Sequence, residues 1–156
     1  MSLKSLRLPC FVLFPCLLLG GCTPLIHPPG PKHVEPQLRK SHFVATDGAV
    51  LPVRSWLPRN EEPEAVIVAL HGFNDYSNAF AMPGRYLSER GIALYAYDQR
   101  GFGNAPGRGL WAGMDAYVDD LDHFTRLVRR NHPGKPAYIL GESMGGALAI
   151  VAMTSE

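Results

Sequence analysis

Cysteine is scarce and lopsided in this 156-residue chain: Cys10, Cys16 and Cys22 are the whole supply. Residues beyond 22 therefore have no thiol for a disulfide or a thiolate metal site, and no structural bridge is expected. An excess of one charge is also missing. Fifteen Lys and Arg stand against fourteen Asp and Glu with no basic block or stripe, which excludes nucleic acid as an expected partner. The apolar stretch Leu8 to Leu19 falls short of the roughly 20 residues a spanning helix needs. What is present, 46% hydrophobic residues in a balanced chain, suits one ordinary globular domain or part of one.

Residues 1–21 read as an address rather than as fold. Lys4 and Arg7 supply a positive start, the apolar stretch follows, and Leu19-Gly20-Gly21-Cys22 closes it with small residues, the layout of a secretory signal. That ending resembles the lipobox of bacterial lipoproteins. The resemblance implies acylation of Cys22, which becomes the mature N-terminus and anchors the chain outside the cytoplasm in a bacterial cell envelope. More than one acyl chain is needed for stable anchoring, since each buried methylene contributes only about 0.8 kcal/mol. Residues 22–40 carry prolines at 24, 28, 29, 31 and 36 and read as an extended spacer that resists sheet pairing and holds the domain off the bilayer. His27 and His33 lie in it and read as solvated side chains rather than metal ligands.

The folded part, 41–156, opens with strand-like runs at His42–Ala45 and Leu51–Trp56 on either side of the hairpin signal Asp47-Gly48; Pro52 points the second run towards a sheet edge. Trp56 reads as packing. Ala65–Leu70 is apolar on both faces, as a central parallel strand covered by helices should be. A helix around Ala79–Arg90 ends at Gly91, and Ile92–Tyr97 is the next buried strand. After a loop rich in glycine and proline, a helix spans about Asp115–Asn131, with Tyr117, Val118, Leu121, Phe124 and Val128 on its apolar face. His123 and His132 read as solvated positions on its polar side and terminus.

Ala137–Leu140, a short buried strand, leads into Gly141-Glu142-Ser143-Met144-Gly145-Gly146, and Ala147–Met153 follows as a small-and-apolar helix. Strand, Gly-x-Ser-x-Gly turn, helix is the context of a nucleophile elbow, in which glycines permit a tight backbone and the serine hydroxyl stands clear of the sheet. Alternating strands and helices predict a doubly wound α/β sheet, whose ligands bind beyond the strand carboxyl ends. His71-Gly72-Phe73, Asp98–Gly103 and Ser143 all fall at such ends.

From Phe43 onward the chain resembles the α/β-hydrolase superfamily, and within it the monoacylglycerol lipase and lysophospholipase group, also called serine aminopeptidase-like. The resemblance rests on Asp47-Gly48 with Trp56-Leu57-Pro58, Val68-Ala69-Leu70-His71-Gly72-Phe73, Asp98-Gln99-Arg100-Gly101-Phe102-Gly103 and the elbow. It implies a mostly parallel sheet and a Ser143 nucleophile that forms an acyl-enzyme with a carboxylic ester, monoacylglycerol or lysophospholipid being the expected class. It also implies oxyanion donors at the backbone N–H groups of Phe73 and Met144. His71, Gly72, Asp98, Arg100, Gly141 and Gly145 are the supporting residues, and neither cofactor nor metal is implied. The resemblance further calls for an acid and a histidine after the serine, whereas all six histidines precede Ser143. The chain is accordingly expected to be an N-terminal portion lacking the last strands, inactive alone, with the Ala137 strand an unprotected edge. Two other readings stand beside it: a related peptidase or haloperoxidase-like hydrolase, and a non-catalytic surface lipoprotein that retains the fold.

Overall fold

The computed structural model describes residues 25–59 and 62–154, so the expected leader and Cys22 lie outside the described residues. Among the described residues six strands form one sheet: β1 (Gln37–Leu38), β2 (His42–Val44), β3 (Val50–Trp56), β4 (Ala65–Leu70), β5 (Ile92–Tyr97) and β6 (Ala137–Gly141), in the order β1-β2-β3-β5-β4-β6. A 3-10 turn at Ser77–Phe80 leads into α1 (Ala81–Ser88); α2 spans Met114–Asn131 and α3 Met144–Thr154. β5, β4 and β6 run parallel and form the doubly wound half, whereas β1, β2 and β3 pair antiparallel, so the described sheet is mixed.

The two-residue period of β4 and β5 sorts their side chains onto two layers. Val66, Val68 and Leu70 with Ala93, Tyr95 and Tyr97 face α2 and α3, meeting Tyr117, Leu121, Phe124, Val128 and Leu148. Ala69, Leu94 and Ala96 face the other way, onto Phe80, Trp56 and Leu87. Each Val or Leu here with no accessible surface contributes about 1.5–3 kcal/mol relative to its exposed state. Chain order leaves β4 towards β5 on one side and returns through α2 to β6 on the other. The strand ends around β4 are thus the place where loops splay apart.

Three expectations need correction. Pro52 is not on an edge, because β3 lies between β2 and β5 and changes partner at that residue. Residues up to Pro52 pair with β2 and those from Val53 on with β5; the Pro52 carbonyl accepts from the Asp98 N–H at 2.8 Å. Nor is the proline-rich segment free of pairing. The N–H groups of His33 and Val34 donate to the Thr46 carbonyl, Gln37–Leu38 forms β1, and Lys32 Nζ pairs with Asp119 at 2.6 Å. Proline blocks only its own donor, and the residues between the prolines keep theirs. Lastly, the inward face of α2 includes Asp120, while Val118 is only partly buried.

Among the described residues β6 has β4 as its single neighbour, so the strand read as buried is open to solvent, with Tyr138 and Leu140 58% and 42% exposed. Ile150 and Met153 on α3 are exposed as well.

Candidate active site

Ser143 is exposed, at the turn between β6 and α3, with φ at 49°, a left-handed value that a non-glycine residue adopts at a cost. The glycines around it explain how that conformation is held. A Cβ on Gly141 would lie 2.5 Å from the Gly145 carbonyl, and one on Gly145 would overlap the carbonyl of Leu70 at the end of β4. The elbow therefore sits hard against the neighbouring strand, and the Glu142 N–H donates to the Leu70 carbonyl at 3.0 Å. α3 begins at Met144, with the Ala147 N–H donating to the Ser143 carbonyl at 3.0 Å.

The turn after β4 comes alongside. A Cβ on Gly72 would be 3.5 Å from Ser143 Cβ, so a larger residue there would crowd the space over the serine. Neither the Phe73 nor the Met144 N–H donates a hydrogen bond among the described residues. The Phe73 ring is 72% exposed and meets Phe102 edge-on, with ring centres 5.5 Å apart.

His71 holds this turn from beneath. It is fully buried; its Nε2 accepts from the Gln99 N–H at 3.0 Å and its Nδ1 lies 2.8 Å from the Gly72 carbonyl. An acceptor at Nε2 and a carbonyl facing Nδ1 require the neutral tautomer with hydrogen on Nδ1. Burial agrees, lowering the His71 pKa by penalising the cation. Gln99 completes the tie, with Nε2 donating to the His71 carbonyl at 2.8 Å.

The loop after β5 is braced by charge. Asp98 accepts from the Ser77 N–H and hydroxyl at 2.9 and 2.5 Å and from the Asn104 N–H at 2.9 Å. Arg100 forms paired hydrogen bonds to Asp47 in the hairpin turn and to Asp120 on α2, while its carbonyl accepts from the Tyr117 hydroxyl. One guanidinium faces two carboxylates, Asp120 buried and Asp47 partly buried. Burial pushes the deeper carboxyl, Asp120, up to about 6, while the hydrogen bonds from Arg100 hold Asp47 below its ordinary value.

Phe73, Tyr76, Phe102, Arg54, Arg108 and Trp111 are among the residues lining a cleft of about 530 Å³ that begins at the residue after Gly72; Ser143 is not one of its lining residues. No histidine among the described residues hydrogen-bonds Ser143. His132, expected in solvent, is partly buried with Nε2 2.7 Å from the Tyr95 hydroxyl, and burial lowers its pKa. His123 Nδ1 lies 2.8 Å from the Asp119 carbonyl. No cluster of three or more potential metal ligands occurs among the described residues. The sequence reading passed over Gln99, Ser77 and Asp120. A signal existed for the last, since Asp120 falls four residues after Ala116 and four before Phe124, an acid on the apolar side of its helix.

Comparison with known proteins follows the same lines. Human "Monoglyceride lipase" is 32% identical over 111 residues, 70% of this chain and 36% of that protein. The structure of a soluble variant of monoglyceride lipase from Saccharomyces cerevisiae superposes with a TM-score of 0.62 at 28% identity, covering 80% of this chain and 42% of the other. A carboxyl esterase from Bacillus coagulans superposes at 0.64 and 21% identity over 73% of this chain and 39% of the other, a likeness of fold. The chain spans about a third of the length of the curated relatives it matches. The family model described as "Serine aminopeptidase, S33" matches residues 61–156. This chain thus belongs to the serine aminopeptidase S33 family and carries part of an α/β-hydrolase fold.

Proposed function

We propose that this chain carries the nucleophile and oxyanion half of a membrane-anchored serine hydrolase that cleaves carboxylic esters, with monoacylglycerol or lysophospholipid as substrate class. The observation that carries the reading is Ser143, exposed at φ 49° on a turn fixed by Gly141 and Gly145 and close to Gly72, with the Phe73 and Met144 N–H groups donating to no partner among the described residues. In this mechanism Ser143 Oγ attacks the ester carbonyl, the alcohol leaves, and an acyl-enzyme remains for water to cleave. Negative charge on the carbonyl oxygen is received by the Phe73 and Met144 N–H groups, each worth about 3–4 kcal/mol in the barrier, and by the positive end of α3. His71, Gln99, Asp98 and Arg100 do no bond-making; His71 and Gln99 hold the turn that carries the Phe73 amide, and Asp98 and Arg100 brace the loop after β5. The names of the relatives favour a glyceride ester over a peptide.

A base must take the Ser143 proton, and His71 is committed to Gln99 and Gly72. The 156-residue chain alone is therefore expected to turn over esters slowly at most. Anchoring belongs to the same proposal: acylation of Cys22 would place the domain outside the cytoplasm, on a membrane of the bacterial cell envelope.

The test uses the natively expressed protein in its own membranes, with the Ser143 codon intact or changed to alanine. Fatty acid release from monoacylglycerol or lysophospholipid, lost in Ser143→Ala, supports the assignment. Release unchanged by Ser143→Ala removes it, and release only from an aminoacyl-peptide substrate assigns a peptidase instead.

A further inference from the structure

The N-terminal segment enters the described structure at one particular place. Leu25 and Ile26 are 75% and 52% exposed, yet Ile26 forms a parallel backbone bridge with Trp111, and the His27 N–H donates to the Trp111 carbonyl at 2.8 Å. A Cβ on Gly113 would come within 3.1 Å of Ile26 Cγ2. Leu110 and Trp111 are wall residues of the cleft that Phe73 and Tyr76 also line. The chain thus arrives beside the loop that forms one wall of that cleft, and the cleft residues Leu110, Phe73 and Tyr76 are themselves exposed. Apolar side chains scattered singly carry no message, but a group gathered around a cleft marks a partner surface.

The sequence just before this point says which partner. Cys22 precedes Leu25 by three residues, a length of chain that reaches about 10 Å when fully extended. We propose that the rim formed by Leu25, Ile26, Leu110, Phe73 and Tyr76 is the face this protein lays on a lipid bilayer, so that the cleft opens onto the membrane. The proposal rests on the acylation of Cys22 proposed above and adds which way the anchored domain faces. A long free spacer would let the domain turn in any direction. The Ile26–Trp111 bridge shortens that freedom to the few residues between Cys22 and Leu25, and the first side chains after the anchor are apolar. Arg54 and Arg108, against Asp75, give the cleft lining an excess of positive charge, which suits anionic headgroups. An ester substrate dissolved in the bilayer would then reach the cleft that starts at Phe73, next to the Gly72 turn, without crossing water.

The chain's two tryptophans make the test. Trp111 is on the rim loop, whereas Trp56 packs against Gly84 of α1 and pairs with Leu94, near the opposite end of β5. The natively acylated protein is reconstituted into vesicles containing anionic lipid and lipids brominated high on the acyl chain. Trp56→Phe leaves Trp111 as reporter and Trp111→Phe leaves Trp56; should Trp56→Phe misfold, subtracting the Trp111→Phe signal from the wild-type signal reports on Trp111. The expected result is bromolipid quenching of Trp111 but not of Trp56. Leu25→Asp with Ile26→Asp should keep the protein on the vesicles through its acyl anchor while Trp111 quenching falls to the Trp56 level. Vesicle-bound protein with Trp111 no more quenched than Trp56 overturns the orientation and leaves the anchor standing. Protein that stays off the vesicles overturns both. Shielding of Trp111 that grows with protein concentration assigns the rim to a second copy of the chain and likewise overturns the proposal.

Discussion

Asp120→Asn is the most informative perturbation of the scaffold under the site. In the native structure Asp120 is 2% exposed and shares Arg100 with Asp47, leaving one surplus negative charge among buried groups. Its carboxyl is raised from the ordinary 3.8 to about 6. At 1.36 kcal/mol per pKa unit, that gap corresponds to about 3 kcal/mol. The sign follows from proton counting. Between about pH 4 and 6 the folded chain holds the Asp120 proton and the unfolded chain does not, so stability falls as pH rises through that window. His71 and His132 act oppositely: their lowered values mean that stability is lost as pH falls below about 6.5. Asp47, with a lowered value, adds stability above about 3.8 that is lost in stronger acid. The wild-type profile mixes these trends, and Asp120→Asn removes one of them. Urea midpoints of wild type and variant from pH 4 to 7.5 isolate it. The wild type is expected to lose about 3 kcal/mol relative to the variant between the two ends. A wild-type–variant difference that stays flat would show that Arg100 keeps both carboxylates ionised, contradicting the account of the network.

Two further outcomes follow from local geometry. Ser143→Gly should be about 1 kcal/mol more stable than Ser143→Ala, because only glycine adopts a positive φ freely; equal thermal midpoints for the two variants would show that the elbow stores no strain. His71→Ala leaves the buried Gln99 N–H without its acceptor and should cost at least about 1–3 kcal/mol in urea unfolding, whereas a loss under about 0.5 kcal/mol would mean that Gln99 and the Gly72 turn do not depend on the ring.

Much of the parallel half could be read from the letters. β4 and β5 are six-residue apolar runs buried on both faces and bounded by polar or glycine positions, a pattern that leaves little freedom in where a strand begins and ends. The elbow was legible for a similar reason, since Gly141 and Gly145 occupy positions that tolerate no side chain. What escaped depends on contacts between segments distant in sequence. β1 exists because Thr46 and β2 offer acceptors to a stretch whose composition alone speaks for a solvated linker. Pro52 escaped because its strand changes partner at that residue, which no local pattern announces. Asp120 stands on the apolar side of its helix in the letters themselves, but the partner that makes its burial tolerable is an arginine twenty positions earlier.

The central claim, that Ser143 is an activated nucleophile, is tested most directly by a fluorophosphonate probe on the natively expressed protein, followed by mass mapping of the adduct. The account predicts one phosphonylated peptide, carrying the adduct on Ser143 Oγ and absent from Ser143→Ala. An unlabelled protein, or an adduct retained on another residue when Ser143 is alanine, would contradict it.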